Sequence, residues 1–155
     1  MFDLVKKIQT AIKHRTTYRV GLLHAKVYRL LKVITGEKLL EHNISTIDWA
    51  LLGILYDDEK GLRFSALSDE LIVEPPFVTV LVRELTKKEL VETKSDPLDS
   101  RAKNVFITAK GRKFVEKVEV ELRVHMKFLA KGIPKTDLIT HLSVIEKMIE
   151  NGGGR

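Results

Sequence analysis

The segment after Pro75 most constrains what this chain can fold into, because it places one helix directly before a short basic hairpin. Pro75–Leu90 has the length of one helix, with an apolar face opposite a polar one. Two short strand-like stretches follow, Val91–Ser95 and Asn104–Ile107, joined by a polar turn that contains Asp99 and Arg101. Such a unit presents a helix face beside a cationic hairpin tip, so duplex DNA is the first partner to consider.

The composition favours an anionic partner and excludes several classes of protein. The 155 residues suit one domain, and the net charge of +6 with a pI near 9.5 favours nucleic acid, an acidic protein or an anionic membrane. Without cysteine, disulfides and thiolate catalysis are excluded. The longest apolar run, Trp49–Tyr56, is too short to cross a bilayer, and we expect neither a signal peptide nor a membrane partner. These features predict a cytoplasmic protein.

Helical spacing and capping residues predict the elements before the hairpin. Phe2–Ile34 is expected to be helical, with a bend or break near Gly21, and Gly36 is expected to stop it. Ser45 is predicted to cap the next helix, since Asp48 follows three residues later. Ser65 is predicted to cap a small helix over residues 66–72, after a very short strand over residues 62–64. Pro75-Pro76 suits the first turn of the helix that follows.

Two long helices are predicted after the hairpin, Ala109–Lys131 capped by Thr108 and about Thr136–Glu150. The fold class is therefore mainly α with a small β-hairpin wing, a winged helix-turn-helix flanked by N- and C-terminal helices. We predict a single domain in which residues 45–108 form the winged-helix lobe, residues 1–44 and 109–151 form dimerisation helices, and residues 152–155 form a flexible tail. The apolar stripes of the outer helices exceed what the lobe can cover, which predicts a homodimer.

The wing and the helix before it resemble a known family. The run Asp99-x-Arg101-Ala102-Lys103-x-Val105-x-Ile107-Thr108-x-x-Gly111 is similar to the wing of MarR-family regulators, and residues 77–85 are similar to the recognition helix of that family. Residues 45–52 resemble the start of its second helix. The sequence differs from the family pattern at Val80, at Glu89 and at Thr93, and in carrying two successive prolines. We therefore expect modest sequence selectivity.

The resemblance implies a ligand-responsive repressor that acts as a homodimer on pseudo-palindromic operators. It also implies a small effector, often a phenolic acid, that enters a cleft between the DNA-binding lobe and the dimer helices. Tyr18, Tyr28 and Trp49 are candidates to line a cleft, although aromatic residues at helical spacing more often belong to the core. No cofactor is expected. The alternative is a winged-helix dimer that binds a protein partner after losing base readout, which exposed Phe77 and Val80 would favour.

Specific side chains are predicted at the DNA interface. Arg101 would enter the minor groove with Asp99 holding it in place, and Arg83 would contact guanine or phosphate. Phe77 is expected to pack rather than to contact DNA. The full set of DNA-binding candidates is Ser65, Thr79, Val80, Arg83, Lys87, Asp99, Arg101 and Lys103.

No residue pattern indicates an enzyme or a metal site. The five histidines form no i, i+4 pair, and the sequence contains no glycine-rich phosphate loop, nucleophile elbow or pair of catalytic carboxylates. Catalytic and metal-binding residues are therefore predicted to be absent.

Overall fold

The structure is a computed structural model that describes residues 16–96 and 102–153. Within these ranges the chain forms helices α1 to α6 and strands β1 to β3. Their bounds in chain order are α1 Thr16–Glu41, α2 Thr46–Asp57, β1 Leu62–Arg63, α3 Phe64–Leu71, α4 Pro75–Lys87, β2 Val91–Ser95, β3 Lys103–Ile107, α5 Ala109–Leu129 and α6 Lys135–Asn151. The predicted fold class, mainly α with a small β wing, is confirmed.

Helix α1 runs through both glycines that were expected to interrupt it. Gly21 and Gly36 lie inside the helix, which ends only at Glu41. A glycine costs a helix interior about 1 kcal/mol, a penalty that the burial of Leu39 on the following turn can offset. The chain instead leaves the helix at Asn43, whose φ of 57° lies in the left-handed region. The predicted stop at Gly36 is therefore wrong.

Helix α2 begins where its cap was predicted. The Ser45 hydroxyl accepts a hydrogen bond from the Asp48 backbone N–H at 3.2 Å, and the Asp48 carboxylate accepts one from the Ser45 N–H at 2.8 Å. This reciprocal pair satisfies amides that no helical carbonyl can reach. The helix then buries Leu51, Leu52 and Leu55 in the core.

Helices α3 and α4 are joined by only three residues, 72–74, which makes them a helix-turn-helix. The predicted cap at Ser65 is wrong: α3 begins at Phe64, the residue at its N-cap is Arg63, and no side chain caps it. Helix α4 starts at Pro75 as predicted but ends at Lys87, short of Leu90. Glu89 takes a φ of 61° there, and the Leu90 N–H returns to the Leu85 carbonyl at 3.0 Å.

The strands form an antiparallel sheet in the order β1-β3-β2. Strands β2 and β3 make the predicted hairpin, in register from Val91 opposite Ile107 to Ser95 opposite Lys103. The short strand β1 adds to its other edge, with Leu62 opposite Val105. The sheet therefore fixes the start of α3 against the wing.

Helices α5 and α6 close the described chain. Thr108 caps α5 as predicted, since its hydroxyl accepts from the Gly111 N–H at 2.9 Å. Helix α5 buries Val115, Val118 and Leu122 against the lobe, whereas no residue of α6 is buried. None of the helices in the described ranges is long and apolar enough to span a membrane.

Candidate nucleic-acid interface

Helix α4 separates its apolar and polar faces as the sequence predicted. Its buried residues are Val78, Leu81, Val82 and Leu85. The opposite side carries Thr79, Arg83 and Lys87, all exposed and spaced four residues apart; we call these three the reading face. The burial of one side of α4 in the core holds the other toward solvent.

A groove of about 430 Å³ runs between α4 and the wing strands, and we call it the α4 groove. It is lined by Phe64, Thr79, Val82, Arg83, Thr86, Lys87, Thr93 and Lys103. Four of the predicted DNA-binding residues, the reading face and Lys103, therefore lie around one concavity. Lys103 reaches it from β3, although 16 positions separate it from Lys87 in the chain.

A carboxylate lies among these cations. Glu84 Oε1 is 2.9 Å from Lys87 Nζ and 3.2 Å from Arg83 Nε. The hydrogen bond from Lys87 and the one from Arg83 lower the pKa of Glu84, although partial desolvation opposes them. Glu84 is therefore ionised at neutral pH and neutralises part of the charge on the reading face. No sequence pattern had indicated a role for Glu84 at this surface.

The start of α4 offers few backbone donors to a phosphate. Its first two residues are Pro75 and Pro76, which have no N–H, and the Phe77 N–H donates to the Glu74 carbonyl at 3.0 Å. The Thr79 hydroxyl also donates within the helix, to the Pro75 carbonyl at 3.3 Å. A helix N-terminus commonly binds anions through free amides, so the start of α4 is poorly suited to bind a phosphate through its backbone.

Apolar side chains surround the turn between α3 and α4. Phe77 is 44% exposed and Val80 41%, and the hydrophobic core formed by the described residues includes neither side chain. Ile72 is 72% exposed and has a φ of 54°, a left-handed conformation that is unfavourable for a β-branched residue. Ile72 could not be identified from the sequence, because no neighbouring residue indicates its left-handed backbone angle. Ser65 is exposed on α3 and does not line the α4 groove.

The tip of the wing, with Asp99 and Arg101, lies outside the described residues, but the base of the wing is well defined. The Asp96 N–H donates to the Ala102 carbonyl at 2.9 Å, and Arg63 donates to Asp96 Oδ2 through Nε at 3.1 Å and Nη2 at 2.8 Å. This ion pair ties the start of α3 to the end of β2. Both residues went unnoticed in the sequence because 33 positions separate them.

Two clefts border the lobe. One of about 340 Å³ lies between α1 and α2 and includes Tyr28, Lys32, Thr35, Thr46 and Leu71 in its wall. Another, of about 490 Å³, lies between α2 and α5 and includes Trp49 and Tyr56. Tyr28 and Trp49 thus line clefts, whereas Tyr18 lines neither and is 63% exposed.

The described residues contain no group of three or more side chains suited to bind a metal ion. His42 instead bonds Glu121 Oε2 through Nε2 at 2.8 Å and meets the Phe114 ring edge to face. Lys38 lies 3.4 Å from the same carboxylate. These contacts connect the end of α1 to α5.

Comparison with known proteins confirms the resemblance. Residues 42–102 match the model of the MarR family. A MarR-family transcriptional regulator from Rhodococcus sp. RHA1 has a similar structure, with a TM-score of 0.78, 18% identity and coverage of 87% of this chain and 95% of its own. No protein with a curated description matches the sequence.

Two further solved structures are similar. CouR from Rhodococcus jostii RHA1, bound to p-coumaroyl-CoA, has a TM-score of 0.76 at 19% identity, over 83% of this chain and 90% of its own. MepR of S. aureus in its DNA complex has a TM-score of 0.70 at 24% identity, over 84% of this chain and 96% of its own. Together these structures establish the winged-helix fold of MarR-family regulators for this chain.

Proposed function

We propose that this chain, which has the fold of MarR-family regulators and matches the family over residues 42–102, is a sequence-specific DNA-binding transcriptional regulator. The α4 groove is the observation that carries the proposal. It gathers Arg83 and Lys87 from the helix and Lys103 from the hairpin on one exposed surface. Cations from a recognition helix and a wing strand, arranged together, match the backbone and groove edge of duplex DNA.

The regulator acts as a homodimer. Helices α1 and α6 expose apolar side chains that the described chain does not cover, including Val27 at 50%, Leu30 at 47%, Leu142 at 60% and Ile149 at 56%. A second copy is the simplest cover, because a two-fold axis buries the same surface of both chains. The dimer would place its two α4 helices in successive major grooves and its wings in the flanking minor grooves.

Affinity comes mainly from phosphate contacts and selectivity from a few base contacts. Lys87 and Lys103 contact phosphates, Arg83 contacts a base or a phosphate, and Arg101 enters the minor groove. The Thr79 methyl and Val80 suit thymine methyl groups. Because the exposed α4 side chains include apolar ones, selectivity is modest.

A small organic effector, such as a phenolic acid, controls the regulator from the cleft between α1 and α2. The cleft volume of about 340 Å³ suits a small molecule, and its wall combines Tyr28 and Leu71 with one cation, Lys32. An anionic aromatic compound would satisfy both parts of that wall. Effector entry would move the lobe relative to the dimer helices and release DNA, which makes the protein a repressor. It acts without a cofactor or catalytic chemistry, in the cytoplasm where its DNA lies.

Fluorescence anisotropy with duplex DNA across a salt series tests the proposal. Log affinity should fall with log salt by about 0.9 per phosphate neutralised, which gives a slope of several units for a dimer that uses at least Lys87 and Lys103 from each subunit. Arg101→Ala should weaken duplex binding by about 1–3 kcal/mol while fold and dimer remain intact. No duplex binding at low salt, or a flat salt response, would reject a DNA-binding regulator.

A winged-helix dimer that binds a protein partner is the second candidate. The exposure of Ile72, Phe77 and Val80 around one turn favours it, because apolar side chains there suit a protein surface as well as thymine methyls. Phe77→Ser separates the two functions. Loss of a co-purifying protein with unchanged duplex affinity supports the protein partner, and weakened duplex binding supports the regulator.

A further inference from the structure

The Glu84 carboxylate on α4 bridges the two cations of the reading face, Arg83 and Lys87. Its Oε1 atom accepts from both Arg83 and Lys87, and the three side chains are 43%, 63% and 64% exposed. The cluster is therefore on the surface, where DNA would meet it. A phosphate that approaches either cation would be repelled by this carboxylate and would compete with it for the donors of Arg83 and Lys87.

The contacts of Glu84 distinguish it from an ordinary surface ion pair. One carboxylate oxygen, Oε1, contacts both Arg83 and Lys87, and both of these cations line the α4 groove. Phosphate contacts carry no sequence information, so a carboxylate that competes with phosphate lowers binding to every duplex. The loss of affinity is smaller at a DNA site that places a cytosine near Glu84, because the cytosine amino group in the major groove can donate a hydrogen bond to the carboxylate.

We propose that Glu84 is a specificity-determining residue that restrains non-specific DNA binding by holding Arg83 and Lys87 until a suitable base sequence replaces its contacts. The inference rests on the proposed function of the α4 groove. Selectivity then arises partly from weakened binding to the wrong sequence, in addition to attraction to the right one. Such a restraint increases the sequence selectivity of a recognition helix that makes few polar contacts with bases.

Glu84→Gln tests the proposal because it removes the charge and keeps the shape. Glu89→Gln is the matched control: Glu89 is also an exposed carboxylate paired with a lysine, Lys110 at 2.5 Å, but neither residue lines the α4 groove. Both substitutions raise the net charge by one per chain. Glu84→Ala, which also suits a helix interior, is a second variant that removes the carboxylate.

Anisotropy titrations use a mixed-sequence duplex and a duplex selected by the wild-type protein from a random pool. Glu84→Gln should bind the mixed duplex several-fold more tightly, with a salt slope steeper by about 0.9 for each additional phosphate that the variant neutralises. The affinity for the selected duplex should rise less, so the ratio of the two affinities falls. Glu89→Gln should leave that ratio close to wild type.

The outcomes separate the inference from the function on which it rests. If the wild-type protein selects no duplex from the pool and does not bind the mixed-sequence duplex at low salt, the proposed function fails and the inference fails with it. If the wild-type protein binds but Glu84→Gln behaves like Glu89→Gln, only the inference is overturned. A loss of affinity for the selected duplex with no increase for the mixed one also overturns it, because Glu84 would then be a base contact alone.

Discussion

At the scale of single residues, Gly111 allows the backbone of α5 to contact the backbone at the start of β2 directly. It lies buried on the first turn of α5, and an added Cβ there would be 2.1 Å from the Leu90 carbonyl oxygen. That carbonyl accepts the Thr108 N–H at 3.0 Å, so the start of α5 rests on the start of β2 through backbone atoms. Only glycine permits this approach.

Gly111→Ala should therefore destabilise the fold by about 1–3 kcal/mol or more, because the helix start or the strand must move. Gly53→Ala is the matched control, since its added Cβ would meet nothing within 4 Å and the helix should be stabilised by about 0.5–1 kcal/mol. Urea denaturation of both variants measures the difference. Equal stability of the two would show that the contact at Gly111 relaxes freely.

Arg83 and Lys87 differ in what each is expected to contribute. Arg83→Ala should cost about 1–3 kcal/mol and relax base preference at one position in each half-site, because a guanidinium can bond guanine with two hydrogen bonds. Lys87→Ala should weaken all duplexes alike. Binding to a panel of duplexes with single base changes distinguishes these results, and a uniform loss for both variants would assign Arg83 to phosphate.

At the scale of elements, the junction between α1 and α5 depends on ionised groups. The hydrogen bond with His42, followed by that with Lys38, lowers the pKa of Glu121 below its ordinary value of 4.5. The pKa of Lys38 is raised, chiefly by its hydrogen bond to Glu41. A carboxyl with a lowered pKa stabilises the fold above its ordinary pKa, and the contribution is lost as pH falls through the folded value.

Glu121→Gln should accordingly lower the free energy of unfolding at pH 7, and its difference from wild type should shrink as the pH falls below 4.5. Denaturation at a series of pH values provides the measurement. Glu119→Gln is a suitable control, because Glu119 pairs with Arg123 of the same helix at 3.3 Å rather than with α1. A constant difference at all pH values would contradict the assigned role of Glu121.

At the scale of the whole molecule, the winged-helix lobe has its own core and the outer helices do not. The buried residues of the lobe come from α2 to α4 and the sheet, with contributions from α1 and α5. Helix α6 has no buried residue at all, although it carries Leu142 and Ile149. Among the described residues nothing covers the apolar side chains of this amphipathic helix, and this exposure is the basis for the proposed interface with a second copy.

Light scattering at micromolar concentration should therefore report twice the chain mass of 17.7 kDa. Leu142→Glu should shift the protein toward monomer and weaken duplex binding, because one lobe loses the support of the other. Ser143→Glu adds the same charge on α6 without removing an apolar side chain and should leave the mass unchanged. A wild-type monomer with its helices folded would reject the dimer architecture.

The sequence by itself determined the elements whose causes are local. Ser45 with Asp48, Pro75 and Thr108 each act within one helical turn, so the starts of α2, α4 and α5 could be predicted from residue types. The two strand-like stretches and the polar turn between them likewise predicted the hairpin, and the helical pattern predicted the buried side of α4. The reading face could then be predicted as well, because it lies on the side of α4 opposite the apolar one.

Only the tertiary structure decided what depends on partners distant in the chain. Gly36 did not end α1, because helix contacts outweigh a single weak helix former, and Ser65 did not cap α3, because β1 pairs with β3 up to Arg63. The gathering of Lys103 with Arg83 required the sheet, and the Arg63–Asp96 pair joins elements 33 positions apart. Local patterns specify where helices and strands begin, whereas packing specifies which side chains meet.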